Sequence, residues 1–255
     1  MTYIDTHTHI YLEQFDADRA EAVDRALRRG VKQLLMPNVD RDTIDAMMKA
    51  SSDFPGVCLP MMGLHPTSVN KGFEKELEWV EDWLAKERFV AIGETGIDLY
   101  WDKTWLEEQK RSLHRHAELA LEYDLPLVLH ARKSLNEIFE VLASFKGSGL
   151  KGVFHCFPGS VQDAARVVDM GFLMGIGGVV TYKNSSMSKV VEAYGLEHVV
   201  LETDAPYLPP VPYRGKRNES AYIPDIALKI ADIKGISIDQ VARVTTENAG
   251  KLLNC

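Results

Sequence analysis

One pattern repeats along this chain from end to end: a short β-rich apolar run, then a longer stretch with helical periodicity. The apolar runs fall at roughly 3–9, 31–38, 57–64, 89–95, 125–131, 151–157, 172–177 and 198–204. Between them lie amphipathic stretches such as Ala20 to Arg29, Phe73 to Lys86, Leu106 to Tyr123 and Leu135 to Phe145. Eight strands separated by helices within 255 residues fit a closed parallel barrel better than an open doubly wound sheet. No glycine-rich turn opens the first βα unit, which argues against dinucleotide binding. The expectation is an α/β chain with one (β/α)8 (TIM) barrel domain over residues 1–255.

Composition narrows the partners. A hydrophobic fraction of 45% and a charged fraction of 26% are those of an ordinary globular protein with ample core material. The formal net charge of -8 argues against broad, sequence-independent nucleic-acid binding, though a local cationic site can still take a phosphate. Cys58, Cys156 and Cys255 have neither metal-ligand nor redox-motif spacing, so reduced thiols in a cytosolic setting are expected. The chain runs from Met1 straight into Tyr3-Ile4-Asp5, without a signal-peptide pattern, and no apolar run reaches the length of a membrane span. A cytoplasmic protein, monomeric and with no obligate protein partner, is the resulting expectation.

In a barrel of this kind the active site lies at the C-terminal ends of the strands. The first run ends in His7-Thr8-His9, whose two histidines share a face by strand alternation. The fourth ends at Glu94, the fifth at His130, the sixth at His155 and the eighth at Asp204. A lone histidine in a β-rich run is more often packed than metal-bound. Six ligand-type residues on five converging strand ends are another matter. Catalytic zinc takes about three protein ligands, so this set exceeds the needs of one ion. Two ions about 3.5–4 Å apart, bridged by a carboxylate, would use all six. Glu94 lies between the two groups of imidazoles in strand order and is the expected bridge. His65, at the end of the third strand, is expected to contact substrate rather than metal. Cys156 should alternate away from His155 and point out of the barrel.

Beyond single positions, the chain resembles the TatD family of metal-dependent deoxyribonucleases, within the amidohydrolase-like barrels. The matching stretches are Asp5-Thr6-His7-Thr8-His9, Gly63-Leu64-His65-Pro66, Ile92-Gly93-Glu94-Thr95-Gly96-Ile97-Asp98, His130-Ala131-Arg132, His155-Cys156-Phe157-Pro158-Gly159-Ser160 and Glu202-Thr203-Asp204-Ala205-Pro206-Tyr207-Leu208. The loop Pro212-Tyr213-Arg214-Gly215-Lys216-Arg217-Asn218-Glu219 matches as well. Thr8, Ile97 and Leu99 depart from the family pattern without touching a ligand position. The resemblance implies one metal site of His7, His9, Glu94 and Asp204, and a second of Glu94, His130 and His155. It further implies phosphodiester hydrolysis at DNA ends with two divalent ions drawn from Mg2+, Mn2+ and Zn2+.

On this reading Asp204 is the general base, Glu94 the bridging carboxylate, and Arg132, Arg214, Lys216 and Arg217 are candidate phosphate contacts. Two other readings compete. The same ions could polarise a carbonyl in an amidase, lactonase or aminoacyl-tRNA deacylase, or the barrel could bind metal without turnover.

Overall fold

In the computed structural model, which describes residues 1–253, eight parallel strands alternate with helices. The strands are β1 (Tyr3–Asp5), β2 (Val31–Pro37), β3 (Cys58–Met61), β4 (Ile92–Asp98), β5 (Leu127–Arg132), β6 (Gly152–Phe154), β7 (Leu173–Ile176) and β8 (Val199–Leu201). The helices are α1 (Arg19–Arg28), α2 (Ile44–Asp53), α3 (Phe73–Lys86), α4 (Leu106–Glu122), α5 (Leu135–Leu142), α6 (Val161–Asp169), α7 (Ser186–Ala193), α8 (Ile223–Lys234) and α9 (Ile238–Leu253). Cys255 lies outside the described residues. No described helix is long and apolar enough to cross a membrane.

Ladders join β1-β2-β3 and β4 through β8, and two parallel bridges close the ring. Met62 pairs with Ile92 between β3 and β4, and Thr8 pairs with Ala205 just beyond β1 and β8. Backbone bonds from Thr6 N to Leu201 O (3.0 Å) and from His9 N to Ala205 O (2.7 Å) carry the seam up to the mouth. The expected (β/α)8 barrel is the fold observed. Regular pairing stops short of the expected runs at β1 (Asp5), β3 (Met61), β6 (Phe154) and β8 (Leu201), while β4 starts late at Ile92 and runs on to Asp98.

Two apolar layers hold the barrel. Inside it, Ile4, Leu35, Met61, Ala91, Val128, Val153 and Val200 pack together, and Ala249 and Leu252 of α9 plug the lower end. Asn248 fixes that plug by donating to Leu196 O (2.7 Å) and Val199 O (2.8 Å). Outside it, Leu34, Met36, Cys58, Leu129, Phe154 and Ile176 pack against the helices. Burying one leucine-sized side chain contributes about 1.5–3 kcal/mol, so the plug is a real share of stability. Packing the bottom leaves the polar ends of the strands to form the open mouth.

Local chemistry fixes the loops around that mouth. Ser160 and Asp163 form a reciprocal capping box at the start of α6, directly after the His155 segment. Gly96, at φ 140°, lies against the main-chain carbonyl of His130, where any β-carbon would collide. That approach holds β4 tight against β5 and brings Glu94 and His130 within reach of each other.

Candidate metal centre

Val128 and His130, and likewise Val153 and His155, follow simple alternation from barrel interior to mouth. Glu94 does not. Ala91 is an interior residue, so alternation would send Glu94 outward. The register of β4 on β5 shifts between Ile92 and Thr95, and this bulge turns Glu94 inward, with Asp98 following on the same face. Asp204 has φ 56°, a left-handed conformation that aspartate tolerates better than most residues. Its N–H donates to His7 O at 2.8 Å, and its carbonyl accepts from Tyr207 N at 2.8 Å.

The two carboxylate oxygens of Glu94 divide the histidines between them. Oε2 lies 3.1 Å from His7 Nε2 and 3.7 Å from His9 Nε2. Oε1 lies 2.8 Å from His130 Nδ1, 2.8 Å from His155 Nε2 and 3.4 Å from His65 Nε2. Asp204 Oδ1 sits on the Oε2 side, 3.6 Å from His9 Nε2 and 3.8 Å from His7 Nε2. Three overlapping groups therefore gather ligand atoms within 4.8 Å of one another: His7, His9 and Glu94; His7, His155 and Asp204; His65, Glu94 and His130.

Neighbouring groups decide which ring nitrogens are free. Tyr11 donates its hydroxyl proton to Pro37 O (2.5 Å), so at 3.0 Å it receives the Nδ1 proton of His9 and leaves Nε2 with its lone pair. Asp98 Oδ2, 3.0 Å from His130 Nε2, takes that proton and leaves Nδ1 facing Glu94. His7 stacks on His155, with centroids 3.9 Å apart and 10° between planes. Both nitrogens of His7, and Nδ1 of His155, are buried without a hydrogen-bond partner. An unpaired buried polar atom costs about 1–3 kcal/mol, and a cation accepting the His7 Nε2 lone pair would remove one such cost. Four imidazoles and two carboxylates converging on one volume are a donor set that fits divalent cations.

The electrostatics point the same way. Burial alone would raise the Glu94 pKa, but His155, His7 and His65 more than offset it and hold the carboxyl well below its usual range. Asp204 is held below its ordinary value for the same reason, burial being outweighed by His9, His155 and His7. Burial, with His155 beside it, pushes His7 down. His155 goes well up, because Glu94 and Glu202 outweigh its burial. Both carboxylates are thus anionic at neutral pH.

All six expected ligand positions meet at the mouth; His9, Glu94, His130, His155 and Asp204, with His65 and Arg132, line a cavity of about 710 Å³, and His7 is buried just behind them. The Arg132 guanidinium lies 3.8 Å from the Tyr100 ring centroid and 5.3 Å from that of Trp101. Arg214 and Arg217 do not line the cavity. Arg214 is exposed and stacks 4.3 Å over Tyr182. Arg217 is committed to Asp18 through bonds of 2.6 and 2.8 Å, which leaves its fork no face for a phosphate. Cys156 corrects the expectation that it points out of the barrel. It lines the cavity, because β6 ends at Phe154 and φ 42° at Cys156 breaks the alternation.

Sequence reasoning missed Tyr11, Asp98, Glu202 and Trp101 as parts of this site. Glu202 is fully buried, accepts from Cys156 N through Oε1, and lies 3.7 Å from His155 Nδ1. Its spacing of two from Asp204 was a usable signal, as was that of Tyr11 from His9. Nothing in the sequence pattern singled out Trp101, which stands 72% exposed on the rim.

A family model described as TatD related DNase matches residues 4–254. The chain belongs to the TatD family. Among TatD relatives, it is 35% identical over 249 residues to the uncharacterized metal-dependent hydrolase YabD of Bacillus subtilis, covering 97% of each chain. It is 30% identical to the uncharacterized metal-dependent hydrolase YcfH of Escherichia coli, covering 100% of this chain and 96% of YcfH. The crystal structure of YjjV, a TatD homologue from Escherichia coli, superposes with a TM-score of 0.92 at 28% identity, over 99% of this chain and 98% of YjjV. This TatD protein is accordingly a metal-dependent hydrolase built on a (β/α)8 barrel.

Proposed function

We propose that the protein is a two-metal phosphodiesterase that trims single-stranded DNA ends. One ion would be held by His7, His9, Glu94 and Asp204, the other by Glu94, His130 and His155. The observation that carries this reading is the division of Glu94: Oε2 toward His7 and His9, Oε1 toward His130 and His155. A carboxylate placed this way would be positioned to bridge two cations.

Two divalent ions held there would supply an acidified water near neutral pH and positive charge to offset that on phosphoryl oxygens. The chain supplies the rest. Asp204, anionic and only partly shielded, can accept a proton at Oδ1 beside His9. Arg132 offers a guanidinium on the cavity wall, pre-positioned by Tyr100. Trp101 and Tyr207, 72% and 49% exposed, stand at the rim where unpaired bases could stack. A cavity of about 710 Å³ suits one nucleotide, which supports attack at an end.

The test is cleavage of a single-stranded oligonucleotide by metal-stripped protein after adding back Mg2+, Mn2+ or Zn2+, with Glu94→Ala as control. Metal-dependent trimming absent from the control supports the reading. No cleavage by a protein that still binds two ions would favour the carbonyl alternative, which the apolar wall of Leu12, Val39 and Leu208 would accommodate.

A further inference from the structure

We propose that His65 is not a metal ligand but a hydrogen-bond donor from Nε2–H to a phosphoryl oxygen of the substrate, an inference that rests on the phosphodiesterase reading above. On distance alone His65 groups with Glu94 and His130 as a potential ligand. Its hydrogen bonds separate it from them.

The main-chain N–H of Thr67 donates to His65 Nδ1 at 3.1 Å, and the Thr67 hydroxyl lies 2.6 Å from the same nitrogen. A ring nitrogen that receives a main-chain N–H carries its lone pair there. The neutral ring must then bear its hydrogen on Nε2, the nitrogen that faces the site. His9 shows the reverse arrangement, since its outward nitrogen gives its proton to Tyr11 and its inward nitrogen stays bare. His65 therefore turns a donor toward the mouth where His9 turns an acceptor. A nitrogen carrying hydrogen has no lone pair to give a cation.

The donor has room and is firmly held. Its distance of 3.4 Å to Glu94 Oε1 is long for a hydrogen bond to a carboxylate, which runs about 2.7–2.9 Å, so the N–H can serve a closer oxygen. His65 lines the cavity with its side chain 14% exposed. Its own N–H donates to Val39 O at 2.9 Å, the preceding Leu64 N–H donates to His116 Nε2 at 3.1 Å, and Pro66 opens the short 3-10 turn that follows. A fixed donor aimed at a reacting oxygen reorganises little as charge grows, which is where such groups act most strongly.

His65→Asn tests the idea. Asparagine keeps an acceptor for Thr67 N–H at this capping position and removes the Nε2 donor. The expected variant holds as many ions per chain as wild type, binds inorganic phosphate about tenfold more weakly in the metal-loaded state, and turns over about a hundredfold more slowly. Nitrogen NMR of metal-loaded wild type, which needs no variant, should show His65 protonated at Nε2 and bare at Nδ1. Loss of an ion in His65→Asn, unchanged phosphate affinity and turnover, or a bare Nε2 in wild type would each overturn the assignment. Wild type that binds ions but neither phosphate nor oligonucleotide would defeat the phosphodiesterase reading and this inference together. Wild type that binds phosphate while His65→Asn binds it equally well defeats this inference alone.

Discussion

Asp98 stands 3.0 Å from His130 through Oδ2 and Nε2, so the ring presents Nδ1 to Glu94. Without that carboxylate the ring loses both its proton acceptor and its orientation. Asp98→Ala should weaken binding of the ion nearest His130 about 10–100-fold, leaving the other ion in place. Metal competition titrations check this. Equal loss of both ions would mean that Asp98 supports the centre as a whole.

Trp101 is the most exposed large hydrophobic side chain lining the cavity. If a terminal base stacks on it, Trp101→Ala should raise KM for an oligonucleotide about tenfold with kcat nearly unchanged, because stacking is made equally in ground and transition states. A fall in kcat at constant KM would place Trp101 in the chemistry instead.

The arginines should separate cleanly. Arg132→Ala is expected to flatten the slope of log affinity against log salt by about 0.7 for a single strand, the loss of one phosphate contact. Arg217→Ala should leave phosphate binding intact and cost roughly 1 kcal/mol of stability, since its partly exposed pair with Asp18 ties the loop after β8 to the start of α1. Salt titrations and chemical denaturation of both variants decide it.

His116 predicts a pH dependence away from the metal centre. Burial lowers its pKa from 6.5 to about 4, while Nδ1 donates to Ser112 O at 2.7 Å and Nε2 accepts from Leu64 N. The unfolded chain binds that proton more tightly. The neutral ring's contribution is therefore full above pH 6.5 and is lost as pH falls through 4, at about 1.4 kcal/mol per unit between those limits. Denaturation at pH 7 and pH 4.5 should show wild type losing about 2–3 kcal/mol more than His116→Gln. Parallel losses would assign the acid sensitivity elsewhere.

Much of this was legible in the sequence. Strand-helix periodicity is local and gave the barrel, and ligand-type residues at strand ends pointed to the mouth. What escaped depended on backbone irregularity or distant contacts. Glu94 faces inward only because of the register shift before Thr95, and strict alternation would have turned it away. Cys156 was misplaced by the same rule, broken by its positive φ. Arg217 looked free because its partner, Asp18, lies 199 residues earlier. Which histidine nitrogens are bare depends on Tyr11, Asp98 and Thr67, and no spacing rule reports a proton's position.

The central claim is that Glu94 bridges two ions. The most direct measurement is metal content per chain in wild type and Glu94→Gln, with oligonucleotide cleavage followed on the same samples. Two ions per chain and metal-dependent cleavage in wild type, falling to one ion or none without cleavage in Glu94→Gln, is the predicted result. A Glu94→Gln protein that keeps two ions and cleaves at the wild-type rate would contradict the account.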